Sequence, residues 1–411
     1  MVVVSPFHVE QWMDEFETTT GVLNAAETCC SSISVEDLKK FDTRDAPSSP
    51  VDLSTRLTYG AILGSDELRN NITSLYNDPS STPVSPKSVI VMQGAISANN
   101  LVLYSLLGPG DHVICVYPTY QQLYSIPESL GAEVSLWKLQ EEEAWIPNID
   151  TVQDLIKENT KVCWFLSCHI PPRLTSVQMI IINNPNNPTG ATIPPGTLSE
   201  IVRVAREHDV ILFSDEVYRP LFHSLPHDQA PPSVLSKGYK KVVATSSMSK
   251  AWALAGIRVG WVASLDADIL TAITQARDYT TISVSQIDDQ IARYALSPEV
   301  RPGLLKRNLQ LSRINLKILE DFVQEHAEVV SWVKPNAGTT AFMQIKVSGQ
   351  PVDDVKFCKD LIRDTKVMLV PGSRCFGSGS DFQGYIRMGY VCETDVLQQA
   401  LAKLGDYIRK S

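Results

Sequence analysis

The chain has 411 residues, 44% hydrophobic and 20% charged, a mix that can bury a large core with a smaller domain beside it and that excludes a disordered chain. Its net charge of −10 excludes the basic stripe on which nucleic-acid binding depends. No apolar run reaches bilayer-spanning length, and Met1–Glu17 reads neither as a secretory signal nor as an Arg-rich transit peptide, so a soluble cytoplasmic protein is expected. The eight cysteines lack paired zinc spacing, fit reduced cytosolic thiols, and lead us to expect no metal site.

Residues 1–45 read as an arm with two short helical stretches, one around Val9–Thr18 and one starting near Ser34, a serine N-cap followed by Glu36 and Asp37. From about 55 to 285, short Val- and Ile-rich runs alternate with amphipathic segments. The predicted strands are Ser88–Met92, His112–Tyr117, Met179–Asn183, Val210–Ser214, Lys241–Thr245 and Arg258–Ala263. Being apolar nearly throughout, they suit a mostly parallel sheet covered on both faces. A helical stretch over Gln286–Glu325, interrupted at Pro298 and Pro302, leads into a second α/β region. There we predict strand Thr340–Ile345, helix Asp353–Asp364, strands Val367–Val370 and Gly384–Met388, and a last helix from Thr394.

Chemistry-bearing motifs sit where those strands end. Ser247-Met-Ser-Lys250 places a lysine beside small hydroxyl residues just past a strand, where burial lowers an amine's pKa and makes it nucleophilic toward an aldehyde. Arg258, eight residues on, brings a fixed charge for a phosphate. The Asn- and Pro-rich turn Asn183–Gly190 presets amide donors, and Phe213-Ser-Asp-Glu-Val-Tyr218 ends a strand on a carboxylate that can hold a cofactor nitrogen protonated. Gln93-Gly94-Ala95-Ile96 turns from strand to helix and offers backbone N–H groups to an anion; Tyr120 offers an aromatic face to a flat ring. Each motif alone has a plain structural explanation. Together they assemble at the strand ends where α/β proteins bind ligands.

This set resembles the class I/II aminotransferase family, the fold-type I enzymes dependent on pyridoxal 5′-phosphate (PLP), over nearly the whole chain. The resemblance implies a large domain over 46–295, with a mostly parallel sheet of the seven-stranded type between helices. It adds a smaller C-terminal α/β domain over 296–411, with the arm 1–45 against it. It implies that Lys250 forms the Schiff base and later moves the Cα proton, with Asp215 paired to the pyridine nitrogen. Asn187 and Tyr218 would bond the ring hydroxyl, Tyr120 would stack on the ring, and Gly94, Ala95, Ile96, Ser247 and Arg258 would hold the phosphate. Tyr59 would reach the phosphate of a partner subunit in a homodimer with shared sites, and Arg387, with Asn187 beside it, would clamp the substrate carboxylate. The implied activity is transamination between an L-amino acid and a 2-oxo acid.

Arg277–Ser285, Ala337–Phe342, Val370–Gly372 and Phe376-Gly377 are similar to the capreomycidine synthase branch, which implies elimination and ring closure as the alternative. A PLP-binding regulator would need a DNA-binding domain for which no residues remain, and a silent relative would lack core positions that are intact here. Glu27-Thr-Cys-Cys-Ser-Ser-Ile-Ser34 falls where such enzymes line the substrate pocket and departs from the usual glycine-containing pattern, so Cys29 and Cys30 either tune specificity or fill space. No second basic residue marks an acidic substrate.

The 17 residues Val162–Gln178 interrupt the approach to the asparagine strand; Lys161 joined to Met179 would restore the family pattern. The segment reads as a translated, unspliced intron. Val162-Cys163 can be encoded as GTNTGT, Leu174-Thr175 as CTNAC, Gln178 can end in AG, and the 17 codons, 51 nucleotides, keep the frame. The rival reading is a surface insertion, which loop entropy tolerates. Cys163, Cys168 and His169 are not read as metal ligands, because no fourth ligand accompanies them. Sequencing mature transcripts separates the readings: the intron reading expects messages lacking these bases, and their retention in every message overturns it.

Overall fold

The computed structural model describes residues 4–46, 48–77, 83–157 and 178–410. The interrupting segment therefore falls outside the described residues except at Gln178, where a strand has begun. The chain opens with helix α1, His8–Phe16, which buries Val9 and Trp12. Ser34 and Asp37 bond reciprocally, Ser34 Oγ accepting from the Asp37 N–H at 3.1 Å while the Ser34 N–H donates to the Asp37 carboxylate at 3.0 Å. They stand at the start of the expected helical stretch, which is a 3₁₀ helix over Glu36–Phe41.

Seven strands form the main sheet: β1 Val89–Met92, β2 His112–Tyr117, β3 Glu133–Lys138, β4 Gln178–Asn183, β5 Ile211–Asp215, β6 Val242–Ser247 and β7 Gly260–Ser264. Their order is β1-β7-β6-β5-β4-β2-β3. Alternate side chains feed two apolar layers. Ile90, Met92, Val113, Cys115, Met179, Ile181, Phe213, Val243 and Val262 join one layer. Val89, Val91, Ile114, Val116, Ile180, Ile182, Leu212, Val242 and Ala263 join the other. Both faces are thus dry, which is why these strands read as unbroken apolar runs. β3 escaped the sequence reading because Glu-Val-Ser-Leu-Trp-Lys lies at the sheet edge and carries polar residues.

One strand direction decides where the motifs meet. β2, β3, β4, β5 and β6 pair in parallel, whereas β7 runs antiparallel to both β6 and β1. β1 therefore points the same way as β2 to β6. The carboxyl ends of six strands and the amino end of β7 share one rim. Helix α2, Gly94–Leu106, leaves β1 at that rim, and Arg258 enters β7 there.

Beyond helices α3, Gln286–Ala295, and α4, Arg301–Glu325, comes a second sheet. It contains β8 Val330–Trp332, β9 Thr340–Val347, β10 Val370–Pro371 and β11 Tyr385–Gly389, with β9 antiparallel to β8 and β11, and β11 antiparallel to β10. Helix α5, Asp354–Thr365, and helix α6, Thr394–Lys410, complete the region. The predicted strand Val367–Val370 is split. Val367–Met368 pairs in parallel with Leu23–Asn24 of the N-terminal segment, whereas Val370–Pro371 pairs with β11. Between them the Leu369 carbonyl accepts the Trp12 indole N–H at 2.8 Å.

The N-terminal segment also crosses β11 closely. The Gly389 N–H donates to the Ala25 carbonyl at 2.8 Å, and a Cβ on Gly389 would fall on the Glu27 carbonyl oxygen. Backbone meets backbone here, so no side chain can swing aside. Gly389→Ala is expected to lower stability by about 1–3 kcal/mol, the usual cost of forced overpacking. Thermal unfolding reads it, and an unchanged midpoint would show that the crossing yields freely.

Candidate active site

The shared rim opens on a cavity of about 490 Å³. Lys250, Asp215, Tyr218, Asn187, Tyr120, Ser247, Arg258 and Arg387 all line it, with Ala95 and Ile96 from the first turn of α2. Tyr59 does not reach it; this side chain is 80% exposed on a loop elsewhere. Gly94 stands behind the wall with φ of +79°, and a Cβ there would lie 2.5 Å from Arg258 Nη2. Glycine thus lets the guanidinium close on the start of α2, whose first N–H groups have no acceptor within the helix. Arg258 holds a left-handed backbone with φ of +51°, uncommon for a residue with a side chain. Its Nη1 donates to the Ala255 carbonyl at 2.8 Å and to Ser249 Oγ at 3.3 Å. Guanidinium, helix start and Ser247 together make a seat for a multiply charged anion.

Asp215 ends β5, 3% exposed. Its Oδ2 accepts from Asn99 Nδ2 at 2.9 Å and its Oδ1 from the Val217 N–H at 3.1 Å, while Asn99 Oδ1 accepts from Thr245 Oγ1 at 2.6 Å. Burial nonetheless pushes the carboxyl up to about 6, because it has two hydrogen bonds but no cation in contact.

Lys250 Nζ lies 2.5 Å from Thr28 Oγ1, 3.4 Å from Cys29 Sγ and 3.8 Å from Glu27 Oε1. Burial disfavours its charge, as expected from sequence, but Cys29, Tyr218 and Glu27 outweigh burial and hold the amine above the ordinary lysine range. The expected lowering fails because the Glu27–Cys29 segment, remote in sequence, closes over the amine. Burial likewise opposes the charge of Glu27, yet Lys250 and hydrogen bonds from Cys29 and Thr28 hold this carboxyl below its usual range. Burial pushes the Cys29 thiol up to about 11, so it faces the cavity protonated, whereas Cys30 is fully buried away from the cavity wall.

Arg387 is 3% exposed, a buried charge rather than a surface one. Its Nη1 donates to Asn187 Oδ1 at 3.3 Å, its Nη2 to the Ala26 carbonyl at 2.9 Å, and its Nε has no partner among the described residues. Asn187 is itself fixed, its N–H donating to Asn183 Oδ1 at 2.7 Å. Sequence reasoning placed Glu27 and Thr28 in a pocket-lining stretch but missed their approach to Lys250, and it missed Asn99 and the acidic residues of the first helical segment that also line the cavity.

A partly buried lysine, a buried carboxylate and an anion seat on one rim of a doubly covered sheet fit the PLP-binding class of α/β enzymes. The profile of the family described as aminotransferase class I and II matches residues 42–404, and the chain belongs to that family. It is 28% identical over 348 residues to an aspartate aminotransferase of Thermotoga maritima, covering 83% of this chain and 81% of that protein. It is 25% identical over 347 residues to capreomycidine synthase of Streptomyces vinaceus, covering 84% and 80%. The crystal structure of a PLP-dependent aminotransferase from Streptococcus suis superposes with a TM-score of 0.84 at 36% identity, covering 99% of this chain and 98% of that one. The protein is accordingly a PLP-dependent enzyme. The stretches that resemble the capreomycidine synthase branch, Arg277–Ser285, Ala337–Phe342, Val370–Gly372 and Phe376-Gly377, do not line the cavity, but Phe342 and Val370 flank Arg387 across the sheet and Phe376 lies against its guanidinium.

The raised Asp215 pKa sets a sign for stability. With a folded value of about 6 against an unfolded value near 3.8, the folded protein without cofactor binds the extra proton between these pH values, and stability from this group falls as pH rises. The advantage of Asp215→Asn over the parent, both free of cofactor, should therefore grow by about 2 kcal/mol between pH 4 and pH 7. Paired thermal melts across that range test it; a constant difference would mean that Asp215 finds a cation in solution.

Proposed function

We propose that the chain is an aminotransferase that exchanges the amino group of an L-amino acid with a 2-oxo acid. The observation that carries the reading is a single cavity that holds Lys250 and Asp215 together with a buried Arg387 whose Nε is unpartnered. Bound PLP supplies a sink for the electron pair left when a bond at the amino-acid Cα breaks. The residues fit it. Asp215 needs a cation, which a protonated ring nitrogen provides, and the Gly94 turn with Ala95, Ile96, Ser247 and Arg258 provides a phosphate seat. Tyr120 would cover one face of the ring, while Asn187 and Tyr218 would hold its phenolic oxygen.

Lys250 would hold the cofactor through Nζ, and its amine would carry the proton to and from the substrate Cα. Protonated at rest, it would first pass a proton on, and the Glu27 carboxylate, 3.8 Å away, is the base placed to take it. Arg387 takes the substrate carboxylate on its free N–H and fixes which Cα bond faces the lysine. The alternative, elimination with ring closure, draws on the capreomycidine synthase relative, and the cofactor-facing residues serve both reactions equally.

Tyr59 serves a neighbouring copy in this reading. Its loop exposes Leu53 and Leu57 as well, while Gln286 Nε2 bonds the Thr58 carbonyl at 2.6 Å and Arg277 bonds the Ile62 carbonyl, so large apolar side chains are held outward on an anchored loop. Such a surface supports a homodimer in which Tyr59 of the partner subunit completes the phosphate seat. The six cysteines of the described residues are free, in keeping with the cytoplasm.

Borohydride reduction of the PLP-loaded protein should fix the cofactor mass on the peptide carrying Lys250, and Lys250→Ala should abolish it. An amino acid should then convert the bound cofactor to pyridoxamine phosphate, and a 2-oxo acid should restore it. A label on another peptide overturns the lysine assignment. A cofactor that stays in its aldehyde form while the amino acid loses a side-chain group moves the protein to elimination.

A further inference from the structure

We propose that the pocket selects amino acids whose side chain carries a positive charge, an ammonium or a guanidinium, seated against Asp14, Glu17 and Glu27. The inference deepens the transamination reading and rests on it.

Two contacts fix how a substrate lies. Its carboxylate goes to Arg387, buried and with Nε unpartnered, and its Cα goes to Lys250. The segment Ala26–Cys29 spans the gap between them: the Ala26 carbonyl takes Arg387 Nη2 at 2.9 Å, and Thr28 Oγ1 takes Lys250 Nζ at 2.5 Å. Glu27 lies in the middle of that span and lines the cavity. The remaining wall is one face of α1, where Glu10, Met13, Asp14 and Glu17 recur at helical spacing and all line the same cavity.

Charge around that wall is unbalanced. Glu10 accepts the Tyr120 hydroxyl at 2.7 Å, but Asp14 and Glu17 form no ion pair among the described residues. Burial, followed by repulsion from Glu27, Glu10 and Asp14, raises the Glu17 carboxyl. The cations of the cavity wall are committed elsewhere: Arg258 to the phosphate seat, Arg387 to the carboxylate, and Lys250 to the cofactor. When Lys250 gives up its charge, Glu27 loses the cation that holds its carboxyl down. A substrate cation restores that balance, and a substrate carboxylate in the same place meets four like charges. The wall thus opposes an acidic side chain, although an aspartate aminotransferase is among the relatives.

The test uses the PLP-loaded full chain and reads the amino-acid concentration that half-converts the cofactor spectrum, with L-ornithine, L-arginine, L-norvaline and L-glutamate as probes. Ornithine or arginine is expected to half-convert at least about tenfold below norvaline, with glutamate weakest, as a single near charge pair suffices for that ratio. Asp14→Asn combined with Glu17→Gln should shrink the ratio severalfold, and Asp14→Glu with Glu17→Asp should restore it, a rescue that a packing role would not produce. Norvaline or glutamate matching the cationic probes overturns the inference while leaving transamination standing, as does a ratio unchanged in the neutral double variant. No spectral change with any of the four overturns both readings.

Discussion

A carboxylate buried at the end of a central strand is costly unless a cation meets it, and the pocket is organised around that cost. Asn99 and the Val217 amide reach Asp215, and Thr245 in turn orients Asn99, but neutral donors only moderate the penalty, and the carboxyl sits at about 6. Elsewhere in the cavity wall two guanidinium groups, the buried Arg387 and the solvent-exposed Arg258, meet only neutral oxygens among the described residues. A ligand that is cationic at one position and anionic at two others would pair with all three. PLP joined to an amino acid is such a ligand.

The sheet delivers these charges through a single reversal of direction. Had β7 run parallel to β6, its amino end would lie on the far side of the sheet and carry Arg258 there. Because it is antiparallel to both neighbours, Arg258 arrives beside the start of α2, close enough that position 94 has no room for a Cβ. The left-handed backbone at Arg258 belongs to the same constraint, since the chain must turn sharply from the lysine loop into β7.

Much of this was legible because strands covered on both faces announce themselves as apolar runs, and motifs at their ends come in fixed order. Asp215, Lys250 and Arg258 are reached by counting along the chain from such runs. β3 was not legible, as an edge strand shares its composition with loops. Nor was the state of Lys250, which depends on Glu27 and Cys29 more than 200 residues away. Local sequence reports burial but is silent on which distant charge arrives. Cys29 and Cys30 show the same limit: adjacent in sequence, one faces the cavity and the other is buried away from it, a difference set by the close crossing over β11.

The residues proposed to face the cofactor and those proposed to face the substrate come from different parts of the chain. Asp215, Asn187, Lys250, Ser247 and Arg258 stand on the main sheet or on loops leaving it. Arg387 stands on β11 of the second sheet, and Glu27, Asp14 and Glu17 on the N-terminal segment. That segment is fastened to the second sheet by the Trp12 bond to Leu369, the pairing of Leu23–Asn24 with Val367–Met368, the Gly389 bond to Ala25 and the Arg387 bond to Ala26. Arg387 and the acidic residues are therefore tied together on the second sheet, and they meet the main-sheet residues where Thr28, Cys29 and Glu27 approach Lys250 and where Arg387 bonds Asn187. Substitutions in the N-terminal segment away from those contacts, at Asp14 or Glu17, leave the main-sheet residues in place. Such a division would give a physical reason why relatives sharing the cofactor apparatus carry the names of different reactions.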